Sequence, residues 1–234
     1  GMEQVGNAET LVARTARGLA QISLDVEAGA FIGSEDDLLT RLGVSRPTLR
    51  QAAKIAENDR LISVRRGIKG GFYATRPDAQ DAIRTLARYL RLNGATLSDI
   101  MVVSRLVSEE AGARACACDD PALRARLVGF VAGIDANDTP AELIRAESEL
   151  VSVISEMSGN PAIQLVMAIG FSFGMEEQRV GLYRAEDHRA TARTLQRQLC
   201  RAILDRDEEI ARVMMRRRSS TMLEWIAQAE RESA

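Results

Sequence analysis

Histidine, cysteine and aromatic residues are scarce in this chain, and each scarcity closes off a class of function. The single histidine, His188, cannot supply a nitrogen-rich metal site. The three cysteines, Cys116, Cys118 and Cys200, fall in helical patterns behind no secretory segment. A disulfide framework is therefore not expected, and the expected compartment is a reducing cytoplasm. Cys116 and Cys118 are two apart and cannot share one helix face, so a metal or redox pair is not expected either. Aromatics make up only 4% of the chain against 46% hydrophobic residues, which favours helix over sheet. No run approaches the ~18 apolar residues of a membrane span. Nucleophile elbows and phosphate-binding glycine loops of the Walker or Rossmann type are missing too, so the chain does not read as an enzyme and no cofactor is expected. Gly1 ahead of Met2 reads as the remnant of a cleaved tag.

What is present is unevenly distributed. Net charge is −2, yet between Arg41 and Arg76 nine basic residues face only Glu57 and Asp59, a local balance of +7. Such a concentration suits a surface that neutralises phosphates and releases their counterions. It coincides with a recognisable order of elements. Apolar residues from Leu11 to Val26 repeat at helical spacing. Ser34 caps a short second helix that carries an acidic first turn and stops at Gly43. Ser45 caps a third helix, with Leu49, Ala52, Ala53 and Ala56 inward and Arg46, Thr48, Arg50 and Lys54 outward. Residues 61–66 alternate as a strand, Gly67 to Gly71 turn, and residues 72–75 return. The pattern is a winged helix-turn-helix over residues 1–76, made of three helices and a hairpin wing.

After Arg76-Pro77-Asp78 the pattern is helical throughout. Segments are expected near 79–93, 96–118, 120–135, 140–158, 160–182, 186–206 and 207–227. The fold class is thus mainly α, with an all-helical bundle over residues 77–234 as a ligand-binding and dimerisation domain.

Several stretches resemble the GntR family of bacterial regulators, in its FadR-like branch with an all-helical effector domain. They are Gly43-Val44-Ser45-Arg46-Pro47-Thr48-Leu49-Arg50-Gln51-Ala52, the wing from Gly67 to Phe72, residues 94–100 leading to Arg105 and Glu109, and Glu156-Met157-Ser158-Gly159-Asn160-Pro161. The resemblance implies a cytoplasmic homodimer that binds operator DNA through Ser45, Arg46, Thr48 and Arg50 and through a wing carrying Arg65, Lys69, Gly70 and Gly71. A small-molecule effector, expected to be an organic acid or a phosphorylated metabolite, would act on DNA binding through the linker near 76–80. No membrane association is implied. A basic residue usual in the family after Ser-Glu is replaced by Asp36, so either a DNA contact is missing or the operator is read differently. The loop before Ser34 also lacks the family's usual proline.

Many such effector domains hold a divalent metal with a carboxylate and three histidines. Those positions fall here on Glu147, Val151, Gln196 and Arg218, and no metal is expected. Arg218 and Arg105 are instead expected to point inward and to pair with a carboxylate or phosphate, with Glu147 and Gln196 beside them. The plainer readings stand alongside. Arg105 and Glu109 are one turn apart and could form an intrahelical pair, Glu147 and Gln196 could be surface residues, and Arg216-Arg217-Arg218 could be a surface run. His188 reads as an exposed or capping residue.

Overall fold

A computed structural model describes residues 9–175 and 179–233. The chain divides into two compact units, Gly1–Ala82 and Ile83–Ala234.

In the first unit, helix α1 (Leu11–Leu24) starts at Thr10, whose hydroxyl accepts the Ala13 amide at 3.1 Å. Strand β1 (Phe31–Gly33) follows, then α2 (Glu35–Leu42) and α3 (Arg46–Asn58). The start of α2 is closed by a reciprocal cap. The Asp37 amide donates to the Ser34 hydroxyl at 3.1 Å and the Ser34 amide to the Asp37 carboxylate at 2.9 Å. These bonds hold the Asp37 carboxyl below the ordinary aspartate range. Gly43 ends α2 at φ +64°, the left-handed conformation glycine adopts without a Cβ clash. Ser45 then caps α3, with Pro47 in the first turn.

Strands β2 (Ile62–Arg65) and β3 (Gly71–Ala74) form the hairpin, and the sheet order is β1-β3-β2, all antiparallel. Leu19, Leu38, Leu49, Ala52, Ala56 and Phe72 form the core beneath it. The sequence reading expected only two strands. At three residues β1 is too short for alternation to show, and its pairing to β3 creates it.

Phe31 of β1 stands opposite Tyr73, and its ring covers Gly71. A Cβ at Gly71 would lie 2.5 Å from Phe31 Cε2 and 3.0 Å from the Gly33 carbonyl oxygen, and its φ is +143°. Gly71→Ala is therefore expected to destabilise this unit by about 1–3 kcal/mol. Urea unfolding followed by a probe in the wing should show the shift. An unchanged midpoint would mean that β1 yields freely.

The second unit is helical. It contains most of α4 (Ala79–Leu92), then α5 (Leu97–Ala115), α6 (Pro121–Gly133), a 3-10 turn (Ile134–Ala136), α7 (Pro140–Met157), α8 (Pro161–Met175), α9 (Arg179–Leu182), α10 (Glu186–Leu204) and α11 (Glu208–Glu232). Prolines occupy the first position of α6, α7 and α8, where the missing amide costs nothing. The helix expected over 160–182 is represented by α8 and α9, with 176–178 outside the described residues. α11 runs five residues beyond the expected 227, and its Trp225 and Ile226 bury into a cluster with Leu143, Leu182 and Tyr183. The main core gathers Leu127, Leu150, Ile154, Leu199, Ile203 and Met215. Gly112 lets α5 approach α11 closely, since a Cβ there would meet Met215 Cγ at 2.7 Å.

Candidate functional site

Two places gather the residues singled out in the sequence, one in each unit. In the first unit, the cap that starts α3 also fixes its outer face. The Ser45 and Thr48 hydroxyls share a hydrogen bond of 2.9 Å, and the Thr48 amide donates to Ser45 Oγ at 3.4 Å. Arg46 and Arg50, one turn apart, project outward, and Arg50's side chain is 67% exposed.

Both arginines meet carboxylates from the start of α2. Arg46 places one terminal nitrogen 2.9 Å from Glu35 and the other 3.1 Å from Asp36. Arg50 reaches Glu35 through Nε at 3.1 Å. The sequence reading noted Asp36 as a departure and gave Glu35 only a place in the acidic first turn of α2, without its contacts to α3. Glu35 stands eleven positions before Arg46, and only the packing of α2 against α3 brings the two together.

The wing is ordered by stacking. Arg65's guanidinium lies 4.0 Å from the centre of the Tyr73 ring, Tyr73's hydroxyl donates to the Lys69 carbonyl at 3.0 Å, and Phe31 meets Tyr73 edge-on at 5.4 Å. The hairpin register carries a signal for this contact. Arg65 pairs with Gly71, so Tyr73 is its diagonal neighbour on the same face. Ile68 is fully exposed at the wing tip. Gly70 and Gly71 are each required by the wing's own packing. A Cβ at Gly70 would lie 2.6 Å from the Arg65 carbonyl oxygen, and Gly71 lies under Phe31.

In the second unit a cavity of about 360 Å³ opens among α5, α7, α8, α9 and α11. Its wall is mainly apolar, with Met101, Val151, Met167, Leu182, Met222 and Ile226. Ser104, Ser108, Ser219, Tyr183, Glu147, Arg218 and Glu230 supply polar groups. Glu147 and Arg218 are the charged pair in the wall, with side chains only 7% and 16% exposed. Arg218 Nε donates to Glu147 Oε2 at 2.9 Å and its Nη2 binds the same oxygen, while Gln196 Nε2 donates to Glu147 Oε1 at 2.7 Å. Burial opposes Arg218's charge, but the adjoining Glu147 carboxylate outweighs it and holds the guanidinium's pKa above its ordinary value. Nearby, burial and Glu147's charge push the Cys200 thiol up to about 12, against a smaller opposing effect of Arg218.

Three of the four sequence-assigned effector residues thus come together, and neither Glu147 nor Gln196 is a surface residue. Gln196 stands behind Glu147, fully buried and outside the wall. Its Oε1 has no partner among the described residues. Arg105 does not join them. Ser104 and Ser108 are the α5 positions that face the cavity, and Arg105, turned 100° from Ser104, is exposed. Nor is the alternative Arg105–Glu109 pair found among the described residues, where Glu109 binds Arg216 of α11 at 2.7 Å. Of the three consecutive arginines, only Arg218 turns to the cavity. His188 is half-buried, stacked on Trp225 at 4.1 Å with Nδ1 2.8 Å from the Leu182 carbonyl oxygen.

The donors at the metal positions do not fit a divalent cation. One carboxylate, a carboxamide, Val151 and a guanidinium leave only Glu147 as a strong ligand, and its oxygens already accept from Arg218 and Gln196.

No protein-family model matches the chain, and no curated protein matches it. Solved structures do. The structure of GntR from Streptococcus agalactiae is 21% identical, with 91% of this chain and 98% of that one covered and a TM-score of 0.69. A GntR-family transcriptional regulator from Pseudomonas syringae (15% identity, 94% and 88% covered, TM-score 0.48) and Escherichia coli McbR/YncC (18%, 96% and 99%, 0.41) are more distant in shape. The chain therefore has the fold of the Streptococcus agalactiae GntR structure, a winged helix-turn-helix unit followed by an all-helical unit.

Proposed function

We propose that the chain is a ligand-responsive, sequence-specific DNA-binding transcriptional regulator, and a repressor of metabolic genes. The observation that carries this reading is the outer face of α3. Arg46, Thr48 and Arg50 sit on the second helix of a helix-turn-helix, beside a wing with Arg65, Arg66 and Lys69. This face meets the requirement for a helix in the major groove flanked by phosphate contacts. Ser45 serves as the cap that orients these side chains, and Gly70 and Gly71 shape the wing.

The effector is a small carboxylate with an apolar body. Arg218 has nitrogen donors beyond those used by Glu147, and the methionine- and leucine-rich wall suits an apolar remainder. A phosphate dianion fits less well, because Glu147 already balances Arg218, the guanidinium found among the described residues of the wall. The working form is a homodimer. Val102, Val103 and Leu106 make an exposed apolar strip on α5, and a two-fold assembly would place two α3 helices on a palindromic site.

Selection of bound fragments from the host genome at fixed near-physiological salt, followed by footprinting with and without a panel of short- and medium-chain carboxylates, tests this reading. A palindromic footprint whose affinity changes with a carboxylate is expected. A footprint indifferent to every metabolite would leave a DNA-binding protein without a small-molecule effector, and the absence of any enriched sequence would overturn the regulator.

A further inference from the structure

The cavity of the helical unit has a direction. Its long walls are single faces of two antiparallel helices, Leu97, Met101 and Ser108 on α5 and Arg218, Met222 and Glu230 on α11. One end is shut. A Cβ at Gly112, one turn past Ser108, would lie 2.7 Å from Cγ of Met215, so α5 and α11 touch there. At that end Ser108, Glu147 and Ser219 are buried, and the Arg218 side chain is 16% exposed. The other end is open, with Thr96 and Glu230 exposed.

Length and volume agree on what such a slot holds. Ser108 to Leu97 spans about 16 Å of helix and Arg218 to Glu230 about 18 Å, at ~1.5 Å per residue. A zigzag chain with bonds of ~1.5 Å advances about 1.3 Å per carbon, so roughly twelve carbons cover that length. An apolar cavity of ~150 Å³ takes a benzene, so 360 Å³ takes a body of roughly a dozen non-hydrogen atoms. The same atoms folded into fused rings would leave the mouth unfilled. Between the ends, Met101, Met167 and Met222 offer flexible thioether side chains that mould to a chain.

We propose that the effector is an unbranched monocarboxylate of about ten carbons, bound head-first, with its carboxylate at Arg218 and its chain running between α5 and α11 to the mouth. The inference rests on the effector reading above and adds the length of the ligand and its orientation. Among the described residues Arg218 bonds Glu147 through Nε and Nη2, which leaves Nη1 as a donor to the acid. A second carboxylate finds no place in the slot. On a short diacid it would lie among the methionines, and on a long one it would meet Glu230 at the rim.

Calorimetric titration of the full-length protein with straight-chain acids of four to twelve carbons tests this. Affinity is expected to rise about three- to four-fold per added carbon up to about ten and then to level. The six-carbon diacid should bind at least ten-fold more weakly than the six-carbon monoacid. Met101→Phe, which narrows the slot part-way along, should move the optimum to shorter chains while four-carbon binding persists. Glu230→Lys should raise affinity for the twelve-carbon diacid by about two- to five-fold and leave the monoacid of that length unmoved. Affinity that is flat from four carbons onward, or a six-carbon diacid that equals its monoacid, would overturn the proposal while leaving a carboxylate effector standing. Decanol binding as tightly as decanoate would overturn the head-first orientation. Binding of none of these acids, by a protein that still selects its operator, would overturn both the proposal and the carboxylate effector.

Discussion

Arg50→Ala is expected to weaken binding to the selected operator about 5- to 150-fold, corresponding to the ~1–3 kcal/mol of discrimination that a bidentate arginine–guanine contact supplies. Binding to a random duplex should fall far less. The reason lies in how the two complexes are held. A non-specific complex depends on phosphates, and Arg65, Arg66, Lys54 and Lys69 remain to meet them when Arg50 is removed. The specific complex loses a directed contact to a base edge, which the charges left on neighbouring side chains do not replace. Removing an exposed arginine that makes one exposed ion pair should scarcely change folding stability, because such pairs contribute about 0–1 kcal/mol. Fluorescence anisotropy with both duplexes, at one salt concentration and with thermal unfolding alongside, separates these effects. An equal loss on both duplexes would make Arg50 a phosphate contact and would remove base readout from this part of α3.

The residues legible in advance are those whose role is set within a few positions of sequence. Ser34, Gly43 and Ser45 announce the helix-turn-helix because caps and left-handed turns are local chemistry. The same holds for the proline-led helices of the second unit. What escaped depends on contacts across long separations. Strand β1 exists because β3 presents an edge to it, and the Phe31–Gly71 contact that secures it joins residues forty apart. Glu35 offers no local sign that it reaches Arg46 and Arg50 on α3 as well as lying in the first turn of α2. Arg105 misled because inward direction was taken from resemblance, whereas the phase of α5 is fixed by Ser104, Ser108 and the close Gly112–Met215 contact. Glu147, Gln196 and Arg218 were found as a set but with no account of how they bond. That their main partners are one another follows only when α7, α10 and α11 are packed.

That bonded set leads to the largest expected change in stability. Arg218→Met should destabilise the helical unit by about 3–5 kcal/mol, because it leaves the Glu147 carboxylate, 7% exposed, with Gln196 as its remaining partner. Glu147→Leu should cost a comparable amount by stranding the guanidinium. The double variant should lie much nearer the wild type, since a buried ion pair replaced as a whole by apolar side chains of similar size is often neutral or stabilising. Urea unfolding of the four proteins closes a double-mutant cycle, and a coupling of less than ~1 kcal/mol would mean that water reaches the pair and that the cavity is wetter than its wall implies. The double variant also separates two roles that either single change confounds. It keeps the fold but removes the guanidinium present among the described residues of the wall, so operator binding should persist and the response to an organic acid should vanish. If that response survived, the acid would be held by hydroxyls such as those of Ser104, Ser108 and Ser219 and not by the guanidinium.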